Sequence, residues 1–121
     1  MKMQLEKGLE NAVVTTIVEG DHMATIEAKI DEPLQTEMHM HKKCYEMYEV
    51  DEGKMMINLK KGKKIKQIEL NPENKKFFIL NPGAKHSVCI DEGSVVNIYR
   101  FTTEKKPLSV LYDLQSIAMC V

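Results

Sequence analysis

The sequence has few cysteines and no long apolar run, and both shortages narrow the class of protein it can be. Its 121 residues include only three cysteines, Cys44, Cys89 and Cys120. Because their number is odd and no two form a CxxC pair, the sequence does not predict a disulfide framework. The longest purely apolar run is IAMCV, far shorter than the roughly 20 residues of a membrane span. The opening MKMQLEKGLENAVV also lacks the apolar block of a signal peptide. We therefore expect a cytoplasmic protein without a membrane partner.

The chain also has little net charge and a single arginine. The 17 lysine and arginine residues nearly balance the 18 acidic residues, and the formal net charge is −1. No strong overall field therefore draws the protein to nucleic acid, and no stripe of aromatic and basic residues indicates such a partner. Arg100 is the only arginine and lies in the apolar segment VVNIYRFT. Either it faces solvent or a salt-bridge partner, or it lies inside the fold and binds a substrate carboxylate or phosphate through its planar guanidinium.

Short alternating and β-branched segments fill most of the chain. MATIEAKI places Ala24, Ile26, Ala28 and Ile30 on one face, which is the period of a strand with one buried side. Similar segments recur between turns rich in glycine, proline and acidic residues: NAVVTTIVEG, EMYEVDEG, KMMINLKKG, KKIKQIEL, KKFFIL, HSVCIDEG and SVVNIYRFT. This spacing predicts a single all-β domain, a sandwich or barrel, over residues 1–121. The tail LSVLYDLQSIAMCV fits either a helix or a terminal strand.

The stretch HMHKKCYEMYEVDEG holds the residue types that carry chemistry. On a strand, residues two apart point the same way, so His39 and His41 project from one face, about 6.6 Å apart at ~3.3 Å per residue. Glu46 shares its strand face with Tyr48, and His86 follows the turn NPGAK. Three imidazoles and a carboxylate can bind one ion and leave coordination positions open, as a catalytic site requires. The alternative is the ordinary polar face of a strand.

These residues and their spacing resemble the two motifs of the cupin superfamily. The first motif, H-x-H with a later glutamate and glycine, is matched by His39, His41, Glu46 and Gly53. The second motif, a Pro-Gly turn with a histidine beyond it, is matched by Pro82, Gly83 and His86. The chain departs from the second motif at Lys75–Phe77, where a glycine is usual, and at Ile90, where asparagine is common. The resemblance covers roughly residues 24–101 and implies a jelly-roll β-barrel.

The resemblance also implies a metal and a class of activity. One divalent transition metal ion (Mn, Fe, Co, Ni or Zn) would have four protein ligands: His39, His41, Glu46 and His86. The implied function is a metal-dependent enzyme of isomerase or dioxygenase type, acting on a small oxygen-rich molecule such as a sugar or organic acid. Glu46, Tyr48 and Arg100 are the candidate catalytic residues. The alternative is a non-catalytic module that binds or senses a small molecule. Because small cupins commonly pair and both ends of this chain are apolar, we also expect a homodimer.

Overall fold

The described part of the chain consists of short strands. The structure is a computed structural model that describes the backbone of residues 12–19 and 115–116, and both backbone and side chains of residues 22–103. Within these ranges there are eleven strands and no helix, which confirms the predicted all-β class. The strands are β1 (Ala12–Glu19), β2 (Met23–Ile30), β3 (Leu34–Gln35), β4 (His39–Met40), β5 (Tyr45–Glu52), β6 (Met55–Lys61), β7 (Lys64–Leu70), β8 (Phe77–Leu80), β9 (His86–Ile90), β10 (Val95–Phe101) and β11 (Gln115–Ser116).

The strands form two sheets with antiparallel pairing. The five-stranded sheet has the order β1-β2-β10-β5-β8. The six-stranded sheet has the order β11-β4-β9-β6-β7, with β3 paired to β9 beside this path. Inward side chains of β5 and β9, which belong to different sheets, meet between them. The arrangement is the predicted jelly-roll barrel, and its interior lies between the two sheets.

The hydrophobic core is formed by apolar residues that alternate with polar ones along the strands. In β2, Ala24, Ile26, Ala28 and Ile30 are at most 2% exposed, while the residues between them are partly or fully exposed. Ile98 of the neighbouring strand β10 belongs to the same core, as the pattern of SVVNIYRFT predicts. Burying a large aliphatic side chain stabilises the fold by about 1.5–3 kcal/mol. A one-residue slip of a strand would expose its whole apolar face, so burial also fixes the register.

The turn between β5 and β6 requires a glycine. Gly53 has a φ of +84°, and a Cβ built there would lie 2.8 Å from the Cα of Ser94. Backbone at that distance cannot move aside as a flexible side chain can. The Oγ of Ser94 accepts a hydrogen bond of 3.1 Å from the Lys54 N–H. This close approach ties the end of β5 to the residue that precedes β10, so it helps to hold these two paired strands in register.

Two residues of the C-terminal tail form a short strand. Of the segment LSVLYDLQSIAMCV, only Gln115–Ser116 is described, and it pairs with β4 as a strand. The choice between helix and strand for the remainder of the tail lies outside the described residues. Across the described ranges, no helix is long and apolar enough to span a membrane.

Candidate metal centre

Three histidines meet on the inner side of the six-stranded sheet. Although β4 is short, the alternation continues through it: His39 and His41 are each 3% exposed, whereas Met38 and Met40 are only partly buried. Because residues alternate across a strand, the two methionines point to the opposite face. His86 opens β9 directly opposite His39, and their ring centroids are 4.2 Å apart. Pairing of β4 with β9 therefore brings together imidazoles that lie far apart in the sequence.

Glu46 reaches the same point from the other sheet. It is the first buried residue of β5, where Glu46 and Tyr48 share the inward face as predicted, together with Val50. Glu46 is 1% exposed. One ligand atom from each of the four residues lies within 4.8 Å of the other three: His39, His41, Glu46 and His86. The structure thus gathers the whole predicted ligand set into one buried cluster between the sheets.

Two further side chains hold the Glu46 carboxylate in place. Arg100 lies directly across from Glu46 on β10, is 1% exposed, and donates from Nε to Glu46 Oε2 at 2.5 Å. Tyr48 donates its hydroxyl to Glu46 Oε1. Of the alternatives for Arg100, a solvent-facing position is therefore wrong, because the guanidinium lies inside the barrel as a salt-bridge partner of Glu46.

This environment keeps Glu46 ionised. Burial by itself raises the pKa of the Glu46 carboxyl, because it disfavours the charged form. The Arg100 guanidinium, together with His41 and His86, outweighs burial and holds that pKa well below its usual range. An ionised carboxylate is a hydrogen-bond acceptor only, and it is the form that binds metal ions.

The backbone fixes the tautomer of two of the imidazoles. A carbonyl oxygen only accepts hydrogen bonds, so the ring nitrogen that faces it carries a proton. Nδ1 of His39 donates to the Glu37 carbonyl at 2.6 Å, and Nδ1 of His86 donates to the Ala84 carbonyl at 2.9 Å. In the neutral ring, Nε2 then carries a lone pair directed into the cluster. This is how metal-binding histidines are usually oriented.

The spacing of the cluster fits a cation at its centre. Nε2 of His86 lies 3.0 Å from Glu46 Oε1, and Nε2 of His41 lies 3.1 Å from Glu46 Oε2. Because the His86 lone pair faces an ionised carboxylate, a proton on that nitrogen or a metal ion between the two is needed. With bonds of about 2.1 Å, neighbouring ligand atoms are about 3.0 Å apart in an octahedral site and about 3.4 Å apart in a tetrahedral one. The two observed separations, each to a different oxygen of the carboxylate, are close to the octahedral value and are also hydrogen-bond lengths.

A cavity of about 520 Å³ opens beside the cluster, between the β6–β7 hairpin, β8 and the loop 81–85. Leu59 and Leu80 line it. Leu59 pairs with His86 and Leu80 pairs with Glu46, and directly paired residues project from the same face of a sheet. The cavity therefore borders the cluster, and its volume lies within the range of about 300–1,000 Å³ that small-molecule sites occupy. The sequence prediction missed these lining residues because neither pairing is visible in a local pattern.

Sequence searches find no relative, whereas solved structures match over most of the chain. No protein-family model and no curated protein matches the sequence. KdgF from Halomonas sp. matches with a TM-score of 0.64 and 16% identity, over 84% of this chain and 87% of that one. A Klebsiella pneumoniae protein with a double-stranded beta-helix domain matches with a TM-score of 0.61 and 8% identity, over 95% of this chain and 91% of that one. The chain has the cupin fold.

Another structure with the cupin barrel is an enzyme. Oxalate oxidase in complex with the substrate analogue glycolate matches with a TM-score of 0.59 and 13% identity. The match covers 90% of this chain and 60% of the oxalate oxidase chain. At such identities the likeness concerns the fold alone, since one fold supports many activities. The function of this protein has to be argued from its own site.

Proposed function

We propose that this cupin is a metal-dependent enzyme acting on a small oxygen-rich molecule, an organic acid or a sugar, by isomerase- or dioxygenase-type chemistry. One observation carries the proposal: three buried imidazoles and an ionised carboxylate place one ligand atom each within 4.8 Å of one another. One divalent transition metal ion would be held by four ligands: His39, His41, Glu46 and His86. Bound there, such an ion supplies Lewis-acid or redox chemistry toward a substrate oxygen. Mn, Fe, Co, Ni and Zn all suit this ligand set.

Glu46 is the organising residue of the proposed site. Arg100 and Tyr48 both donate to its carboxylate, so they fix its orientation and offset part of its charge. In this proposal the two are positioning residues, whereas the sequence alone placed them with Glu46 among the catalytic candidates. The four ligand side chains are at most 3% exposed, so bulk water is excluded from the ligand side. The neighbouring cavity, lined by Leu59 and Leu80, is the side from which we propose that a small molecule approaches the cluster.

Elemental analysis tests the metal part of the proposal, on protein purified without a histidine tag from metal-replete buffer. We expect one divalent ion per chain in the wild type and little in His41→Ala, because one of the ligands has been removed. His22→Ala is the matched control, since His22 is exposed and lies outside the cluster. Circular dichroism should show that all three proteins remain folded, because the apolar core does not depend on His41. A wild type without stoichiometric metal that behaves like His41→Ala would contradict the metal site.

A turnover screen tests the enzymatic part. Metal-loaded protein is incubated with small organic acids and sugars, and both oxygen uptake and isomerisation are followed. Turnover by the wild type and His22→Ala, with loss in His41→Ala, supports the proposed enzyme. Metal binding together with small-molecule binding, but without turnover of any compound, favours the non-catalytic binding or sensing module.

A cytoplasmic location and a homodimer stay predictions and form part of the proposal. The location is supported by the three cysteines of the chain, whose odd number and lack of a CxxC pair are usual in a reducing compartment. The homodimer is supported by large apolar side chains on the five-stranded sheet: Met23 is 51%, Phe77 is 54% and Ile79 is 46% exposed. Exposed apolar side chains of this size commonly mark protein contacts when they lie together.

A further inference from the structure

The cavity beside the metal cluster has an apolar floor. Leu80 is 2% exposed, and Leu59, Phe78 and Ala84 are partly buried and pack against the core. All four line the cavity. Such a surface favours a ligand with an apolar part, because a fully hydroxylated molecule would lose hydrogen bonds to water there and gain none from the floor.

The rim of the same cavity is cationic. Lys60, Lys61 and Lys85 line it, and the N–H of Lys60 donates to the carbonyl of Lys85 at 2.8 Å, which joins the β6–β7 hairpin to the loop before His86. Among residues 22–103, no carboxylate forms an ion pair with any of these three lysines, in contrast to Lys54, which pairs with Asp91. The chain is close to neutral overall, with a net charge of −1. Among residues 22–103, the positive charge at this rim is therefore local and is not offset by an ion pair.

We propose that this cavity binds a small organic anion with an apolar part, whose acidic group is held by Lys61 and Lys85. The inference rests on the proposed function in that this anion is the substrate class and its inner end faces the metal cluster. Leu59 and Leu80, which pair with His86 and Glu46, form the wall shared by cavity and cluster. Of the two substrate classes allowed by the ligand set, the cavity selects the organic acid, because a neutral sugar offers no charge to the rim and little apolar surface to the floor.

Titration with benzoate and with its neutral isostere benzamide tests this inference. Both are followed by calorimetry on chelator-treated and on Mn²⁺-loaded wild-type protein. Benzoate should bind at least tenfold more tightly than benzamide. The double variant Lys61→Gln/Lys85→Gln should weaken benzoate at least tenfold and leave benzamide unchanged. The matched control is Lys63→Gln/Lys64→Gln, which removes the same charge from exposed positions that do not line the cavity, and it should change benzoate binding less than twofold.

The position of the bound anion gives a second measurement. In Mn²⁺-loaded protein, the bound paramagnetic ion should broaden the proton resonances of benzoate in the wild type and in the control variant, but not in the rim variant. Equal affinity for benzoate and benzamide, or equal weakening in the control and rim variants, would overturn the inference. If Mn²⁺ binds and the protein does not bind benzoate more tightly than benzamide, the inference fails while the proposed metal site stands. If no metal binds but benzoate binding depends on Lys61 and Lys85, the proposed function fails and the anion cavity is supported.

Discussion

Arg100→Met removes the guanidinium that forms an ion pair with the Glu46 carboxylate. Arg100 and Glu46 are each 1% exposed, so the variant leaves a buried charge without its partner. Breaking a buried ion pair in this way costs about 3–5 kcal/mol. Unfolding entropy of about 2.1 cal/mol/K per residue gives roughly 0.25 kcal/mol/K for a chain of this length. We therefore expect the melting temperature of the metal-free variant at pH 7 to fall by about 12–20 °C.

The stability difference between the wild type and Arg100→Met should depend on pH. The folded protein holds the pKa of Glu46 well below the ordinary value of 4.5, so the ionised carboxylate contributes stability above that value and loses it as the pH falls. The gap between the wild type and Arg100→Met should therefore be largest near neutral pH and narrow below about pH 4.5. A bound divalent ion should also reduce the gap at pH 7, because it replaces part of the positive charge that the guanidinium supplied.

Thermal unfolding followed by circular dichroism, with and without metal, measures both effects. The double variant Arg100→Met/Glu46→Gln is the control, because it removes both charges together, and it should recover most of the lost stability. A metal-free Arg100→Met protein that melts within about 3 °C of the wild type at pH 7, a loss of less than about 1 kcal/mol, would refute the reasoning. In that case the guanidinium would not be what stabilises the buried carboxylate.

Three further predictions concern the turn, the positioning of Glu46 and the assembly. Gly53→Ala should destabilise the protein by about 1–3 kcal/mol, because it places a Cβ against the Ser94 backbone at a positive φ. The measurement is urea unfolding, and the control is Gly62→Ala, which has open space around its Cβ and should lose less stability. Tyr48→Phe deletes the hydroxyl that donates to Glu46 and should weaken metal affinity about 10- to 100-fold. Competition with a chelator measures the affinity. Unchanged metal affinity would show that this hydrogen bond does not position the ligand. Sedimentation at micromolar concentration should show a dimer, and a stable monomer would contradict the expected assembly.

Much of the fold follows from local pattern, because the side-chain period of a strand is written in consecutive residues. The alternation in MATIEAKI predicts which face of β2 is buried, and the structure confirms it. The same reasoning predicts that His39 and His41 share one face and that Glu46, Tyr48 and Val50 share another. The motif departure at Ile90 is accommodated by packing, since the side chain is 2% exposed and belongs to the core.

Which residues meet across the interior of the barrel depends on how the strands pair, and no local pattern encodes that pairing. Arg100 faces Glu46 only because β10 pairs with β5 in one particular register, and this contact makes the arginine a partner of the carboxylate. Leu59 and Leu80 border the cluster because they pair with His86 and Glu46. The sequence alone determined the eight longer strands, their inward faces and the set of candidate ligands. Only the tertiary structure decided which charges meet and where the cavity opens, because each depends on contacts between residues distant in the chain.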